Sequence, residues 1–304
     1  MIYWGINALN HGSSLSIISD DKFNFFKSAS STDILENKNL SFYDKPDRIF
    51  WYERPWIKKV RQVYAGQYKT AVDMTVLPAG YLKNNGFGNT PITYTPHHAS
   101  HAAAGYYTSK FDDCAIVVLD AIGEFECATI WHGNNNNIRK VWSRRYPHSL
   151  GLFYSAFTQL IGLRPIEQEY LLQQMSKQGD NNRYYSDVDN YVTGTLKLTR
   201  NLHKGVYDWP HEINNLQDQC DIAAAVQRVF EEQVLSIMIT ARSITGSADL
   251  VYMGGCAMNS AANNKFVTPM WDNVWSLPDP GDASSSLGAI LYHTKHRIQW
   301  DSQV

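Results

Sequence analysis

The chain has 304 residues, of which 44% are apolar and 13% aromatic, so it can bury the core of one large domain or two medium ones. Lysine and arginine total 27 against 29 aspartate and glutamate, which argues against broad nucleic-acid binding through phosphate neutralisation. No apolar run approaches the roughly 18 residues of a membrane span, and the start lacks the pattern of a secretory leader. The four cysteines form no CxxC pair, which predicts a cytoplasmic protein, in the host cytoplasm if the source is viral.

A β-rich rhythm opens the chain and recurs in its middle. Apolar runs at 2–7 and 114–120 each lead through a tight polar turn into a second and a third strand, the last turn of the second copy being four asparagines at 134–137. Strands punctuated by Gly, Asn and Asp predict two β-meanders, each followed by helices. We therefore predict a duplicated α/β unit, with lobes over 1–111 and 112–304 and a ligand cleft between them. Two unrelated hairpins in one domain are the alternative.

The segment PHHASHAAAGYY contains the sharpest local motif. His97 and His101 are four apart, so on a helix their imidazoles share one face and can reach one metal ion. The alanines favour that helix, and Pro96 stands near its start. No glutamate follows His97, which excludes the HExxH metalloprotease pattern. A third ligand has to come from elsewhere, and two histidines with one carboxylate suit Fe(II) or another divalent ion. Core or partly exposed histidines are the alternative.

A second motif, MGGCAMNSAANNK, follows an apolar strand. Gly254 and Gly255 leave backbone amides open to a phosphate, or else they simply form a turn. Asn259 and Asn263 are also four apart, so we expect them to contact a ribose or a phosphate from one helical face.

Apolar residues at three- and four-residue spacing predict a helix within 219–245, ended by Gly246. Asp221 stands at its predicted start, where a carboxylate caps free backbone N–H groups. In PDPGDASSSLGA, Asp282 either begins the next helix as a cap or points into the cleft. His11, in HGSS, falls in the first hairpin turn, and we predict that it faces the cleft.

These motifs in this order resemble those of the NodU-type O-carbamoyltransferases, which carbamoylate nodulation factors and antibiotics. The family is similar in turn to the tRNA threonylcarbamoyltransferases. Both have the actin-like ATPase fold, so the resemblance implies an α/β protein of two ribonuclease-H-like lobes with a central cleft. The matching stretches are HGSS, HHASHAAAGYYTS, LDAIGE, PHSLGLFYSAFTQLIGL, EY, DIAAAVQ, GGCAMNSAANNK and PGDASSSLGA.

The resemblance also implies roles for single residues. His97, His101 and Asp282 would hold a metal, usually iron. His11 would be the general base for the acceptor hydroxyl, since histidine titrates near neutrality. Asp221 would orient the acceptor, or else act only as the helix cap. The residues expected to bind the nucleotide part of ATP-derived carbamoyl-adenylate are Ser149, Gly151, Tyr154, Gly254, Gly255, Asn259 and Asn263.

Family members usually continue into a YrdC-like domain that makes carbamoyl-adenylate from carbamoyl phosphate and ATP. We expect a separate YrdC-like protein to supply this step here, or carbamoyl phosphate to be used directly. The predicted activity is carbamoyl transfer to a hydroxyl-bearing acceptor, either a small molecule or sugar or a hydroxymethylated nucleotide or DNA base. The alternatives are threonylcarbamoyl transfer to tRNA and a non-catalytic nucleotide-binding subunit.

Overall fold

The computed structural model describes residues 1–10, 12–20, 22–28, 33–35, 43–73 and 77–300. In this part of the chain ten strands form two five-stranded sheets. The strands are β1 (Ile2–Asn10), β2 (Gly12–Ser19), β3 (Lys22–Ser28), β4 (Arg48–Trp51), β5 (Ile92–Tyr94), β6 (Asp113–Gly123), β7 (Glu126–Asn134), β8 (Asn137–Arg145), β9 (Asp249–Met253) and β10 (Asn273–Trp275).

Ten α-helices connect and cover these strands within the described ranges. They are α1 (Pro55–Tyr64), α2 (Tyr68–Val72), α3 (Pro78–Asn84), α4 (His97–Thr108), α5 (Leu150–Leu160), α6 (Glu169–Met175), α7 (Tyr185–Asp189), α8 (Leu216–Thr245), α9 (Ser260–Ala262) and α10 (Ser285–Thr294). A one-turn 3₁₀ helix, Asp282–Ser284, leads into α10. None of the described helices combines the length and the apolar character that crossing a bilayer requires.

The two sheets repeat one topology. The first has the strand order β3-β2-β1-β4-β5 and the second β8-β7-β6-β9-β10. In each sheet the first three strands form an antiparallel meander, and the remaining two continue parallel to the central strand. This repeated order is that of two ribonuclease-H-like lobes, the actin-like ATPase fold. The duplication predicted from the strand rhythm is therefore confirmed.

Helices α4 and α10 lie between the two sheets. Alternate side chains of β6 point to opposite faces, as the two-residue period of a strand requires. Cys114, Ile116 and Val118 share one core with α4, α10 and the first sheet. Ala115, Val117 and Leu119 share the other core with α5 and α8. Every residue of α4 is buried, so the side chains of α4 are held by packing on all sides of the helix.

Close contacts hold α10 in this layer. A Cβ built on Gly288 would lie 1.7 Å from the carbonyl oxygen of Ser100 on α4, and one on Gly5 of β1 would lie 1.9 Å from that of Ser286. Glycine is therefore required at both positions. Helix α10 comes after all strands of the second sheet, which begins at Asp113, yet it packs against the first sheet. The lobe boundary near residue 111 remains a prediction.

Helix α8 begins earlier than its apolar pattern indicates. Asn215 is the N-cap, and its side chain accepts a hydrogen bond of 2.9 Å from the backbone N–H of Asp218. Gly246 ends the helix in the left-handed conformation, as predicted. The prediction that Asp221 caps the helix is wrong, because Asp221 lies in the second turn.

Candidate metal centre

Two histidines meet at the start of α4. His97 is the first residue of the helix, and His101 follows one turn later on the same face. Their Nε2 atoms are 3.2 Å apart, and both rings are buried. The predicted helix and the predicted convergence of the pair are therefore present. His98 points away, and its Nδ1 lies 3.0 Å from the hydroxyl of Thr129.

Two carboxylates complete the group. Asp282 Oδ1 lies 3.3 Å from the Nε2 atoms of both His97 and His101. Asp120 Oδ2 lies 3.1 Å from His97 Nε2. The segment that carries Asp282 is anchored to the first sheet, because the side-chain amide of Asn7 donates to the Asp282 carbonyl at 2.8 Å. Three separate parts of the chain thus converge on one point.

The geometry of this cluster fits a divalent cation. Atoms bound about 2.0–2.2 Å from one ion lie about 3.0–3.5 Å from each other when the coordination is octahedral or tetrahedral. The contacts among His97, His101, Asp120 and Asp282 measure 3.1–3.3 Å, and all four ligand atoms lie within 4.8 Å of one another. Two imidazoles with two carboxylates suit Fe(II), Mn(II), Co(II) or Zn(II). Of the four, Asp120 was not among the predicted ligands.

The charges of the cluster are strongly coupled. Burial disfavours the imidazolium of His97, but Asp282, Asp120 and Glu53 outweigh it, and the pKa of His97 is raised well above its ordinary value. Burial likewise opposes the charged carboxylates, yet the histidines hold the pKa of Asp120 low and that of Asp282 well below its usual range. The two carboxylates supply negative charge for a cation, and a cation that binds here displaces the proton of His97.

The glycine pair adjoins the cluster. Strands β6 and β9 are parallel, so their carboxyl ends meet at one edge of the sheet, and their pairing ends at Val118 and Met253. Asp120 lies two residues beyond Val118, and Gly254 directly follows Met253. Gly254 has φ +93°, and a Cβ on it would lie 2.2 Å from a backbone oxygen of β6. The backbone N–H of Gly255 donates to Asp120 Oδ1 at 3.4 Å.

Helix α5 begins beside the same edge. The hydroxyl of Ser149 donates to the Ala121 carbonyl at 2.6 Å and caps the helix by accepting from the Leu152 N–H at 3.0 Å. A Cβ on Gly151 would lie 2.8 Å from Ala121 Cα, so the first turn of α5 contacts β6 closely. Ser149 and Gly151, both predicted nucleotide ligands, therefore contact Ala121, which directly follows Asp120.

The remaining predicted nucleotide ligands are bonded to other protein groups. The hydroxyl of buried Tyr154 donates to Gln227 Oε1 at 2.7 Å. Asn259 exchanges hydrogen bonds of 3.0 Å with Gln227 and caps α9. Asn263 Nδ2 donates to the Ala257 carbonyl at 2.7 Å. Tyr154 and Asn259 thus share Gln227 as a partner, and the predicted contacts of all three residues with a nucleotide remain predictions.

The structure does not bring Asp221 to the metal cluster. Its carboxylate accepts from the N–H of Asp180 at 2.7 Å, from Arg183 at 2.8 Å and from Gln217 at 2.8 Å. It thus fixes the loop before α7, and its predicted role towards the acceptor remains open. His11 lies outside the described residues.

Two further carboxylates beside His97 were not anticipated. Glu124, in the turn between β6 and β7, accepts from the Arg54 N–H at 2.7 Å and forms an ion pair with its guanidinium. Gly123, directly before it, lies against His97, where a Cβ would approach the ring to 2.4 Å. Glu53 lies on the other side, 3.9 Å from His97 Nδ1. The Arg54–Glu124 pair thereby links the segment after β4 to the turn between β6 and β7.

The chain is similar in sequence to a known protein family. A family model described as Carbamoyltransferase N-terminus matches residues 52–291. An uncharacterized protein of Synechocystis sp. is 32% identical over 223 residues, which cover 66% of this chain and 36% of that protein. Nodulation protein NolO of Bradyrhizobium diazoefficiens is 25% identical over 205 residues, 64% of this chain and 37% of that protein. The chain thus spans about a third of the length of these curated relatives.

Two solved structures resemble the whole chain at low identity. A ROK family glucokinase from Streptomyces griseus, in complex with glucose and AMPPNP, has a TM-score of 0.48 and 9% identity, and the match covers 95% of this chain and 98% of that one. An activator of 2-hydroxyisocaproyl-CoA dehydratase from Clostridium difficile, with bound ADPNP, has a TM-score of 0.49 and 12% identity over 96% and 94% of the two chains. The fold assignment depends on the strand order and not on these likenesses.

Proposed function

The chain belongs to the family described as Carbamoyltransferase N-terminus, and from that premise we propose that it transfers a carbamoyl group to a hydroxyl group of an acceptor. The observation that carries the proposal is the convergence of His97, His101, Asp120 and Asp282 beside a glycine pair at the carboxyl edge of the second sheet. In open α/β sheets this edge is where ligands bind.

These four residues would hold a divalent cation, with Fe(II) as the ion that the family resemblance implies. When bound, the cation supplies Lewis-acid polarisation of a phosphate or carbamoyl oxygen. The protein's own contribution is to fix the position of the ligands. Because α4 is buried all round, and Asn7 anchors the segment of Asp282, little reorganisation is needed on binding.

We propose carbamoyl-adenylate as the donor, made from carbamoyl phosphate and ATP by a separate YrdC-like protein. Gly254 packs against β6, whereas a Cβ on Gly255 would meet only Asp120 Oδ1 at 3.4 Å, so a phosphate could approach at Gly255. The first turn of α5, which follows the cap Ser149, offers backbone N–H groups at the positive end of a helix. The acceptor oxygen attacks the carbamoyl carbon, the bond from that carbon to the adenylate oxygen breaks, and AMP leaves. His11 takes the proton of the acceptor hydroxyl in this scheme.

The test is carbamoyl transfer in solution. The protein, a YrdC-like enzyme, carbamoyl phosphate, ATP and Fe(II) are incubated with an aminoglycoside, a free sugar or 5-hydroxymethylcytidine. Mass spectrometry then detects the addition of one carbamoyl group. We expect at least one acceptor to be modified by the wild type and none by the His97→Ala/His101→Ala variant. His11→Asn should lose turnover.

A matched variant distinguishes the effect of losing the cluster from the effect of losing any two histidines. His132 and His211 are partly exposed, and each pairs with one aspartate. The His132→Ala/His211→Ala variant should therefore keep its activity. Full activity without His97 and His101 would contradict the role of the cluster. Unmodified acceptors in the presence of accumulating carbamoyl-adenylate would instead favour a nucleotide-binding subunit.

A further inference from the structure

The Nδ1 side of the His97 ring lacks a hydrogen bond. His97 Nε2 faces the candidate ligands, whereas Nδ1 is buried and has no hydrogen-bond partner among the described residues. The ring is held between Gly123 and the ring of Tyr52, whose centroid is 5.3 Å away. The acidic group nearest to this nitrogen is Glu53, with Oε2 at 3.9 Å.

Glu53 is itself an unusual group for this position. It follows β4, and only 6% of the residue is exposed. Lys58, on the first turn of α1, lies 2.6 Å from its other oxygen, Oε1. A buried carboxylate with one oxygen on Lys58 and the other turned to an unpartnered histidine nitrogen needs an explanation beyond packing.

We propose that Glu53, held in place by Lys58, is a positioning residue for the metal centre: it accepts the Nδ1–H of His97 and so presents Nε2 to the cation. This inference rests on the metal role of His97 in the proposed function. A histidine that ligates a metal commonly donates its other N–H to a carboxylate, which fixes both the tautomer and the ring orientation. The present separation of 3.9 Å exceeds a hydrogen bond by about 1 Å, which a small rotation of the carboxylate would close.

The His101 ring provides an internal contrast. Its Nδ1 is also buried without a partner, but no carboxylate of the described residues forms an ion pair with that nitrogen. The two ligands are therefore supported differently, and removal of Glu53 should affect His97 alone.

Co(II) titration of the whole chain, followed by visible absorption, tests the proposal. Glu53→Gln keeps the shape of the side chain and removes its charge. We expect this variant to bind Co(II) about 10- to 100-fold more weakly than the wild type. The metal-free variant should still unfold in one cooperative transition in urea, at a lower midpoint because Lys58 loses its ion pair. Glu53→Asp, which restores the charge at a greater distance, should recover part of the affinity. Glu126→Gln, which removes a carboxylate paired with Lys140 in the second sheet, is the matched control and should bind normally.

The outcomes separate this inference from the proposed function. A wild type that binds no Co(II) would overturn both. A wild type that binds, with Glu53→Gln equal to it within twofold, would overturn the role of Glu53 alone. Should Glu53→Gln fail to fold, nitrogen-15 NMR of the wild type loaded with Zn(II) decides: a proton on Nδ1 of His97 supports the proposal, and zinc on Nδ1 refutes it.

Discussion

Replacing Gly288 by alanine should drive α10 away from α4. The new Cβ would lie 1.7 Å from the Ser100 carbonyl oxygen and 2.9 Å from the Ala104 nitrogen, whereas ordinary contact begins near 3.4 Å. Both obstacles are backbone atoms of a buried helix, so α10 has to retreat by roughly 1.5 Å. Overpacking of this kind typically destabilises by about 1–3 kcal/mol, and because the neighbour cannot rotate away we expect the upper end of that range.

The same displacement should reach the metal centre. Asp282 lies three residues before α10, and its carboxylate is 3.3 Å from His101 Nε2. A shift of more than 1 Å would break the set of ligand distances, so we expect Gly288→Ala to lose most of its Co(II) affinity as well as stability. Urea unfolding of the metal-free protein and Co(II) titration measure the two effects separately.

Gly80 provides the control. It lies within α3, and a Cβ there would meet no atom within 4 Å. Gly80→Ala should therefore be neutral or stabilise by up to about 1 kcal/mol through helix propensity, with unchanged Co(II) binding. Wild-type stability for Gly288→Ala would refute the reasoning, since it would mean that α10 and α4 do not touch at this point.

Three further predictions follow from single contacts. Asp120→Asn should weaken Co(II) binding by more than about 10- to 100-fold, the loss expected for Glu53→Gln, because we propose Asp120 as a direct ligand of the cation. Asn215→Ala should lower the free energy of unfolding in urea by about 1 kcal/mol through loss of the α8 cap. Asp221→Asn should be destabilised at neutral pH, because Arg183 and backbone and amide hydrogen bonds hold the pKa of Asp221 low against burial. This stabilisation exists above the ordinary carboxyl pKa and disappears as pH falls through the lowered folded value, so thermal melts of variant and wild type should converge in acid.

The local patterns of the chain predicted its architecture well. The spacing of His97 and His101 is a property of one helix, and the meander rhythm is a property of adjacent strands, so both can be read along the sequence. The predicted start of α8 is too late because two buried positions of its first turns are Asp218 and Asp221, which break the apolar period. There the capping side chain, Asn215, defines the boundary instead of hydrophobicity.

The residues that were missed depend on distant pairing. Asp120 follows a buried apolar strand, a signal that was visible, but only the parallel pairing of β6 with β9 brings it to the same edge as the glycine pair. Glu53 is 44 residues from His97 in sequence, and nothing local shows that its carboxylate is buried. Long-range topology therefore adds Asp120 to the three predicted ligands and places Glu53 beside His97.

The position of α10 bears on how the protein is made. The Asn7 side chain meets the Asp282 carbonyl across 275 positions of sequence, and the first hydrophobic core contains side chains of both β1 and α10. A lobe built this way cannot close while the ribosome is still synthesising the middle of the chain. Contacts at such separation slow folding and prolong the exposure of apolar surface. The part of the first sheet that α10 covers therefore stays exposed until α10 emerges, and nascent chains should depend on chaperones until then.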